Sequence, residues 1–445
     1  MISEKPDLHF LKSYFQSLER HDIDFCVIRN VEEVIRGDAH DIDMCVGSSH
    51  LSTAEKLLSE QAQKQGWKLH LKTGSANDLS NIKCYNYHFI EEEENQIYIV
   101  HIDIFPTYAW KGYELLSNET LLENVNKDTI FHSIAPETES VCNLFVRLLY
   151  NGAIKDKYKP KVQGTFRNNK EKVCELMRHF LSEDLVTLAY DCAIDGNWKH
   201  LENARPQIIR YIKKNTKRNL LRYISYLCSK ALHRKGIIVA FMGTDGSGKS
   251  TIINGIERTL ANTFSNNTLN YYHWRPGYIK SEKRLDTTGN VVSNVQPHSL
   301  LPYGTAVSLL KILLYTGDYI LGYWMKIYWQ AAQGHLVVFD RYYYDFYMDK
   351  ARYRLKLPDS LIRIFHPFIP KPDITFVLLG NADQIQSRKN ELPLDEVRKQ
   401  IYLLQKHKQD FSNTVEIDVC QHIPEVVYNV SNAILEHLTL KNNEF

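Results

Sequence analysis

The chain has 445 residues, a formal net charge of +2, 44% hydrophobic residues and 24% charged ones. That length suggests two or three domains, each large enough for its own core. The balance leaves little room for long disorder and gives no bulk electrostatic reason for nucleic acid or an anionic membrane as the main partner. Eight cysteines without a C-x-x-C pair argue against a zinc site or a disulfide framework.

Met1 to Asp7 holds no apolar signal core. The most apolar long stretch, Ala306 to Trp329, carries Lys311, Asp318 and Lys326, too many charges for a good spanning helix. The expectation is a soluble, cytoplasmic chain with no membrane span, with a surface-bound helix at 306–329 as the other option.

Leu8 to Leu18 has apolar residues at helical spacing, and Phe25-Cys26-Val27-Ile28 reads as a strand. Two further β-rich runs follow, Asp41-Ile42-Asp43-Met44-Cys45-Val46 and Gln96 to Phe105. Alternation puts Asp41 and Asp43 on one strand face, with Ile42 and Met44 on the other. Asp103 on a second strand can join them. Three neighbouring carboxylates repel unless a cation holds them, which is how a Mg²⁺ site for phosphoryl or nucleotidyl transfer is built. A second D-x-D, Asp22-Ile23-Asp24, reads as a turn, so the tripeptide alone is a cheap match.

These residues resemble the nucleotidyltransferase superfamily with the DNA polymerase β-like fold, over about the first 150 residues. The family motif is a strand, a short loop, D-x-D between apolar residues, and a third carboxylate on a later strand. The resemblance implies metal ligation by Asp41, Asp43 and Asp103. The family carries Gly-Gly or Gly-Ser after the first strand, whereas this chain has Arg29-Asn30, with Gly37 later. The competing readings are solvated acidic strand ends or a transferase that now only binds.

Glu139 to Tyr150 has a helical apolar side, ended by Asn151-Gly152. Lys155, Lys157, Lys159 and Lys161 follow as a basic run, a solvated face by default and a phosphate-binding one otherwise. From Asn168 to about Lys230 the periodicity is helical and basic, as in a connector with surface charge. RNA binding is the alternative there, with nothing else to support it.

Gly236 to Met242 then reads as a buried strand running into Gly243-Thr244-Asp245-Gly246-Ser247-Gly248-Lys249-Ser250-Thr251 and a helical pattern. Glycines let backbone N–H groups turn inward around phosphate oxygens, and the helix N-terminus adds partial positive charge. In this phosphate loop Lys249 would reach the transferring phosphates and the Ser250 hydroxyl would help hold Mg²⁺. The bland alternative is a glycine-rich turn that happens to fit. Four more β-rich runs, beginning at Leu269, His335, Asp373 and Val415, alternate with helical stretches. That alternation predicts α/β architecture, a parallel sheet covered by helices on both faces, with ligands at the strand C-terminal edge. At those edges lie Asp340-Arg341-Tyr342 and Trp274-Arg275-Pro276-Gly277. Farther on, Arg388 and Arg398 read as cations of a lid, the helix carrying Arg398 entering at Pro393 and Asp395.

Residues 235 to 440 resemble the thymidylate kinase family of nucleoside monophosphate kinases. The phosphate loop, Asp340-Arg341-Tyr342 against the family's D-R-[YH], and Pro372-Asp373 followed by Arg388 carry the resemblance. It implies an ATP- and Mg²⁺-dependent kinase, with Asp245, Arg275, Arg341 and Tyr342 at a small-molecule phosphate acceptor. It also leaves a homodimer open. The family's R-E-P-G becomes His273-Trp274-Arg275-Pro276-Gly277 here, without the Glu, and a polar insert runs from Tyr278 to Tyr303. Both departures point to a remodelled acceptor pocket, as in bacterial thymidylate kinase-like proteins encoded near surface-polysaccharide genes. The expected organisation is a nucleotidyltransferase-like α+β domain at 1–160, a helical connector at 161–234 and a kinase domain at 235–445. A rival class is a nucleotide-responsive regulator or defence protein, with the phosphate loop as ATPase or sensor and the N-terminal part as effector. A binding-only scaffold is a third.

Overall fold

The computed structural model describes residues 5–39, 41–74, 83–92, 94–216, 234–261, 263–264, 269–279, 301–389 and 392–443. His40, most of the insert from Tyr278 to Tyr303, the connector after 216 and Asn390-Glu391 lie outside the described residues. The chain divides into two compact units, Met1–Glu91 with Tyr98–Ser229, and Glu92–Ile97 with Lys230–Phe445.

The first unit is built on a five-stranded sheet of β1 (Phe25–Val27), β2 (Asp41–Val46), β3 (Lys68–Gly74), β4 (Lys83–Glu91) and β5 (Gln96–Phe105), in the order β1-β2-β5-β4-β3. The sheet is mixed. β1 runs antiparallel to β2 and β3 to β4, whereas β2 and β5 are parallel, with Asp41 opposite His101 and Asp43 opposite Asp103. Side chains alternate across a strand. Ile42, Met44, Tyr85, Tyr87, Val100, Ile102 and Ile104 therefore share one core with Phe10, Leu11, Tyr14 and Phe15 of helix Pro6–Arg20 and with Leu57 and Leu58 of helix Leu51–Lys64. The opposite parity carries the acidic residues. Asp22 sits in a left-handed turn (φ 52°) just past the first helix, where the second D-x-D falls.

A short antiparallel ribbon, β6 (Tyr108–Trp110) with β7 (Tyr113–Leu116), leads to helices Pro136–Asn151, Lys159–Asn168, Lys170–Arg178, Glu183–Asp195 and Trp198–Asn215. The first ends on Gly152 at φ 76°. Their apolar sides, including Phe145, Leu148, Phe166, Met177, Ala189 and Ile208, form a second core with Cys26, Cys45 and Trp110.

The second unit holds a parallel five-stranded sheet flanked by helices, the α/β class its sequence predicts. Its strands are β8 (Ile237–Met242), β9 (Leu269–Tyr272), β10 (Leu336–Asp340), β11 (Ile374–Leu379) and β12 (Thr414–Asp418), in the order β12-β11-β8-β10-β9. Every pairing is parallel. The central strand, Ile-Ile-Val-Ala-Phe-Met, is buried throughout, as a strand covered on both faces must be. Because β8 and β10 lie side by side, with Phe241 opposite Asp340, the phosphate loop and Asp340-Arg341 leave the same edge of the sheet.

The apolar stretch at 306–329 becomes helix Thr305–Gly322, a π-helical turn at Tyr323–Ile327 and helix Tyr328–Ala332. Among the described residues no helix is long and apolar enough to cross a membrane. Asp318, fully buried, accepts from the Arg275 guanidinium at 3.0 Å and from the backbone N–H groups of Gly277 (3.0 Å) and Ile279 (2.6 Å).

Candidate functional site

The phosphate loop joins β8 to helix Lys249–Thr259. Gly246 lies at φ 85°, and a Cβ there would stand 2.7 Å from the Ile385 carbonyl oxygen. A Cβ on Gly243 would meet Ser247 Oγ at 2.7 Å. Gly246, against a backbone carbonyl at positive φ, therefore excludes a side chain, and at Gly243 Ser247 would have to move. Lys249 Nζ donates to the carbonyls of Gly243 (2.8 Å) and Thr244 (2.9 Å). Burial, then the nearby Arg341 charge, lowers its pKa to about 8. The buried hydroxyls Thr244 Oγ1 and Ser247 Oγ have no hydrogen-bond partner. Unpaired buried hydroxyls are costly.

The loop floors a cavity of about 630 Å³ lined by Asp245 through Thr251, with Tyr271, His273, Asp340, Arg341, Arg352, Arg388 and Lys389 on its walls. Buried Asp340 accepts from Tyr271 Oη at 3.0 Å through Oδ2, and His273 Nδ1 lies 3.7 Å from the same oxygen. Its Oδ1 is buried without a partner. Burial would raise the Asp340 pKa, but the nearby His273 and the Lys249 and Arg341 charges leave it lowered, so the group is anionic.

Arg341 is a left-handed residue (φ 78°) whose N–H donates to the Phe241 carbonyl at 2.9 Å. Its buried guanidinium forks onto Asp345 at 3.0 and 3.1 Å and reaches Asp245 at 2.5 Å. Arg352 holds the other Asp245 oxygen and also Asp349 at 3.1 Å. Burial alone would raise the Asp245 pKa, yet the two arginines bring it to about 2. Asp245 is thus clamped between two guanidinium groups.

Arg388 lies on the cavity wall, its Nη1 donating to the Val419 carbonyl at 2.9 Å. Three other predicted residues lie elsewhere. Arg398 is exposed and pairs with Asp383 at 3.5 Å and Asp395 at 3.9 Å. Arg275 is stapled to Asp318 beside the Trp274 and Tyr315 rings. Tyr342 packs in the core against Tyr319 and Phe339, its hydroxyl on the Pro370 carbonyl. Sequence reasoning assigned no role to Arg352, Asp345, Asp349, Tyr271 or His273. Arg341 with Asp345 (i,i+4) and Arg352 with Asp349 (i,i+3) are pairs close in sequence; the others meet only through space.

In the first unit, carboxylate oxygens of Asp41, Asp43 and Asp103 lie within 4.8 Å of one another. Two cations are built in among them. Arg29 Nε donates to Asp43, at the place where the nucleotidyltransferase pattern has a small residue. His101 Nε2 donates to Asp103 Oδ1 at 2.8 Å, and its Nδ1 to Asn86 Oδ1 at 2.5 Å. Burial would lower the His101 pKa, but the Asp103 charge and hydrogen bond carry it to about 9. In the basic run, Lys157 faces Glu33 (3.9 Å), Lys159 faces Asp156 (2.6 Å) and Lys161 faces Glu139 (2.8 Å).

No protein-family model matches the chain, and no curated protein sequence matches it. Among solved structures the chain is similar to a thymidylate kinase from Ehrlichia chaffeensis, at 19% identity over 44% of this chain and 98% of that one, with a TM-score of 0.31. A likeness at that level bears on neither the acceptor nor the chemistry.

Proposed function

We propose that the second unit is a small-molecule kinase that uses ATP and Mg²⁺ to phosphorylate a nucleoside monophosphate or a related hydroxylated or phosphorylated acceptor. The observation that carries this reading is one cavity lined by Lys249, by Ser247 with its unpartnered hydroxyl and by Asp340 with its unpartnered Oδ1. ATP phosphates would bind at the loop, where Gly246 leaves no room for a side chain and the helix N-terminus favours anions. Ser250 would hold Mg²⁺, which when bound neutralises phosphate charge during transfer.

The remaining work falls to the chain. Lys249 exchanges its two loop carbonyls for phosphate oxygens. With a hydroxylated acceptor, Asp340 would take a hydrogen bond from the attacking hydroxyl on Oδ1, positioning it for in-line attack on the ATP γ-phosphorus with ADP leaving. Arg388 and Lys389 supply positive charge at the far wall. Arg341 and Arg352 hold Asp245 and offer guanidinium groups to an anionic acceptor that can compete for them.

The test is ATP consumption with Mg²⁺ across a panel of nucleoside monophosphates and sugars, wild type against Lys249→Ala. A phosphorylated acceptor that disappears in the variant supports the kinase. ATP hydrolysis indifferent to every acceptor would move the assignment to a nucleotide-responsive regulator. A second activity, nucleotidyl transfer by the first unit, is favoured by the register that sets Asp43 opposite Asp103. Absence of transfer to any kinase product would count against it.

A further inference from the structure

We propose that the first unit binds a transition-metal ion of the Zn²⁺ class through Cys84, His101 and Asp103, with Asp41 at the open side. The sequence argues against a zinc site, because its cysteines form no C-x-x-C pair and Cys84 lies 17 residues before His101. The sheet assembles them. Cys84 on β4 and His101 and Asp103 on the adjacent β5 bring Sγ, a ring nitrogen and a carboxylate oxygen within 4.8 Å of one another. Asp41, on the strand flanking β5 on its other side, places Oδ1 3.8 Å from His101 Nε2. Its side chain is 58% exposed, which leaves a route in from solvent.

Three features select the class of ion. Arg29 already neutralises Asp43, so a cation entering here is repelled from that corner and is left with Cys84, His101, Asp103 and Asp41. Thiolate, imidazole and carboxylate together suit Zn²⁺ or Co²⁺, whereas Mg²⁺ prefers oxygen ligands alone and keeps its waters. The His101 Nδ1–H donates to the buried Asn86 amide oxygen at 2.5 Å. That outer hydrogen bond points Nε2 at the cluster, as with metal-bound histidines generally. Tetrahedral bonds to such donors are about 2.0–2.3 Å long, so the donors need only side-chain adjustment to close on one ion. On binding, the metal displaces the Nε2 proton and the Cys84 thiol proton to solvent.

This inference concerns binding and stands whether or not the first unit transfers nucleotides. The test is titration of the full chain with Co²⁺ alone, following thiolate-to-cobalt charge-transfer absorption, and equilibrium dialysis against Zn²⁺. One equivalent is expected, with a charge-transfer band that survives Cys420→Ser and millimolar Mg²⁺. Cys84→Ser should abolish the band and His101→Gln should weaken binding at least tenfold. Asn86→Ala, which removes no ligand, should weaken it about 10- to 100-fold, with circular dichroism confirming that each variant is folded. No band in the wild type, a band unchanged in Cys84→Ser, or displacement by Mg²⁺ would overturn the assignment.

Discussion

Lys249 offers a sharp test of the phosphate-loop geometry, because burial brings its pKa from 10.5 to about 8. With that value about 90% of the side chain is charged at pH 7 and about 10% at pH 9. If the charged form binds phosphate, affinity for an ATP analogue falls about tenfold over that interval. Folding stability responds with the opposite sign. Between pH 8 and 10.5 the unfolded chain binds more protons at this site than the folded chain, so stability rises with pH. The full effect is on the order of 3 kcal/mol. Calorimetric titration of the nucleotide from pH 7 to 9.5, alongside thermal unfolding of the nucleotide-free protein, reads both slopes. Lys249→Arg keeps a charge that does not titrate in this range, and its affinity should stay flat. A wild-type affinity equally flat to pH 9.5, or stability that falls over the same range, would refute the buried-lysine argument.

Asp345→Ala should destabilise the second unit by about 3–5 kcal/mol, because it removes the forked partner of a buried guanidinium. Asp245→Ala should cost distinctly less in the same urea titration, since Arg341 keeps Asp345 and Arg352 keeps Asp349; equal losses would contradict the network. Gly246→Ala places a methyl 2.7 Å from the Ile385 carbonyl at φ 85°, and nucleotide affinity should fall at least about tenfold, a loss of ~1.4 kcal/mol. Asp318→Asn leaves one oxygen to serve three donors, and thermal unfolding should report a loss of about 1–3 kcal/mol.

Much of the fold was legible. The second unit's strands fall on the β-rich runs read from the sequence; the inner strands β8, β10 and β11 are apolar nearly throughout because a parallel strand covered on both faces must be. The first unit's β3 and β4 were not legible. Their runs mix His70, Lys72, Asn86 and His88 with leucines in β3 and aromatic residues in β4, and that polar parity has meaning only once the neighbouring β5 is in place. Asp318 looked like a charge interrupting an apolar helix; its three donors come from residues 275–279, about forty positions earlier.

By itself the sequence determined the glycine-rich strand–loop–helix turn, since its backbone conformation is set within nine consecutive residues, Gly243 to Thr251, by glycine placement and the following helix. It also determined that Asp41 and Asp43 share a strand face, through a two-residue alternation needing no distant partner. Only the tertiary structure decided which cations face the cavity: Arg341, Arg352 and Arg388 line it, while Arg275 and Arg398 are held elsewhere by Asp318 and Asp383. A long charged side chain goes where its counter-charge lies. That partner is fixed by strand order and helix packing, so the meeting of Cys84, His101 and Asp103, like the clamp on Asp245, exists only in three dimensions.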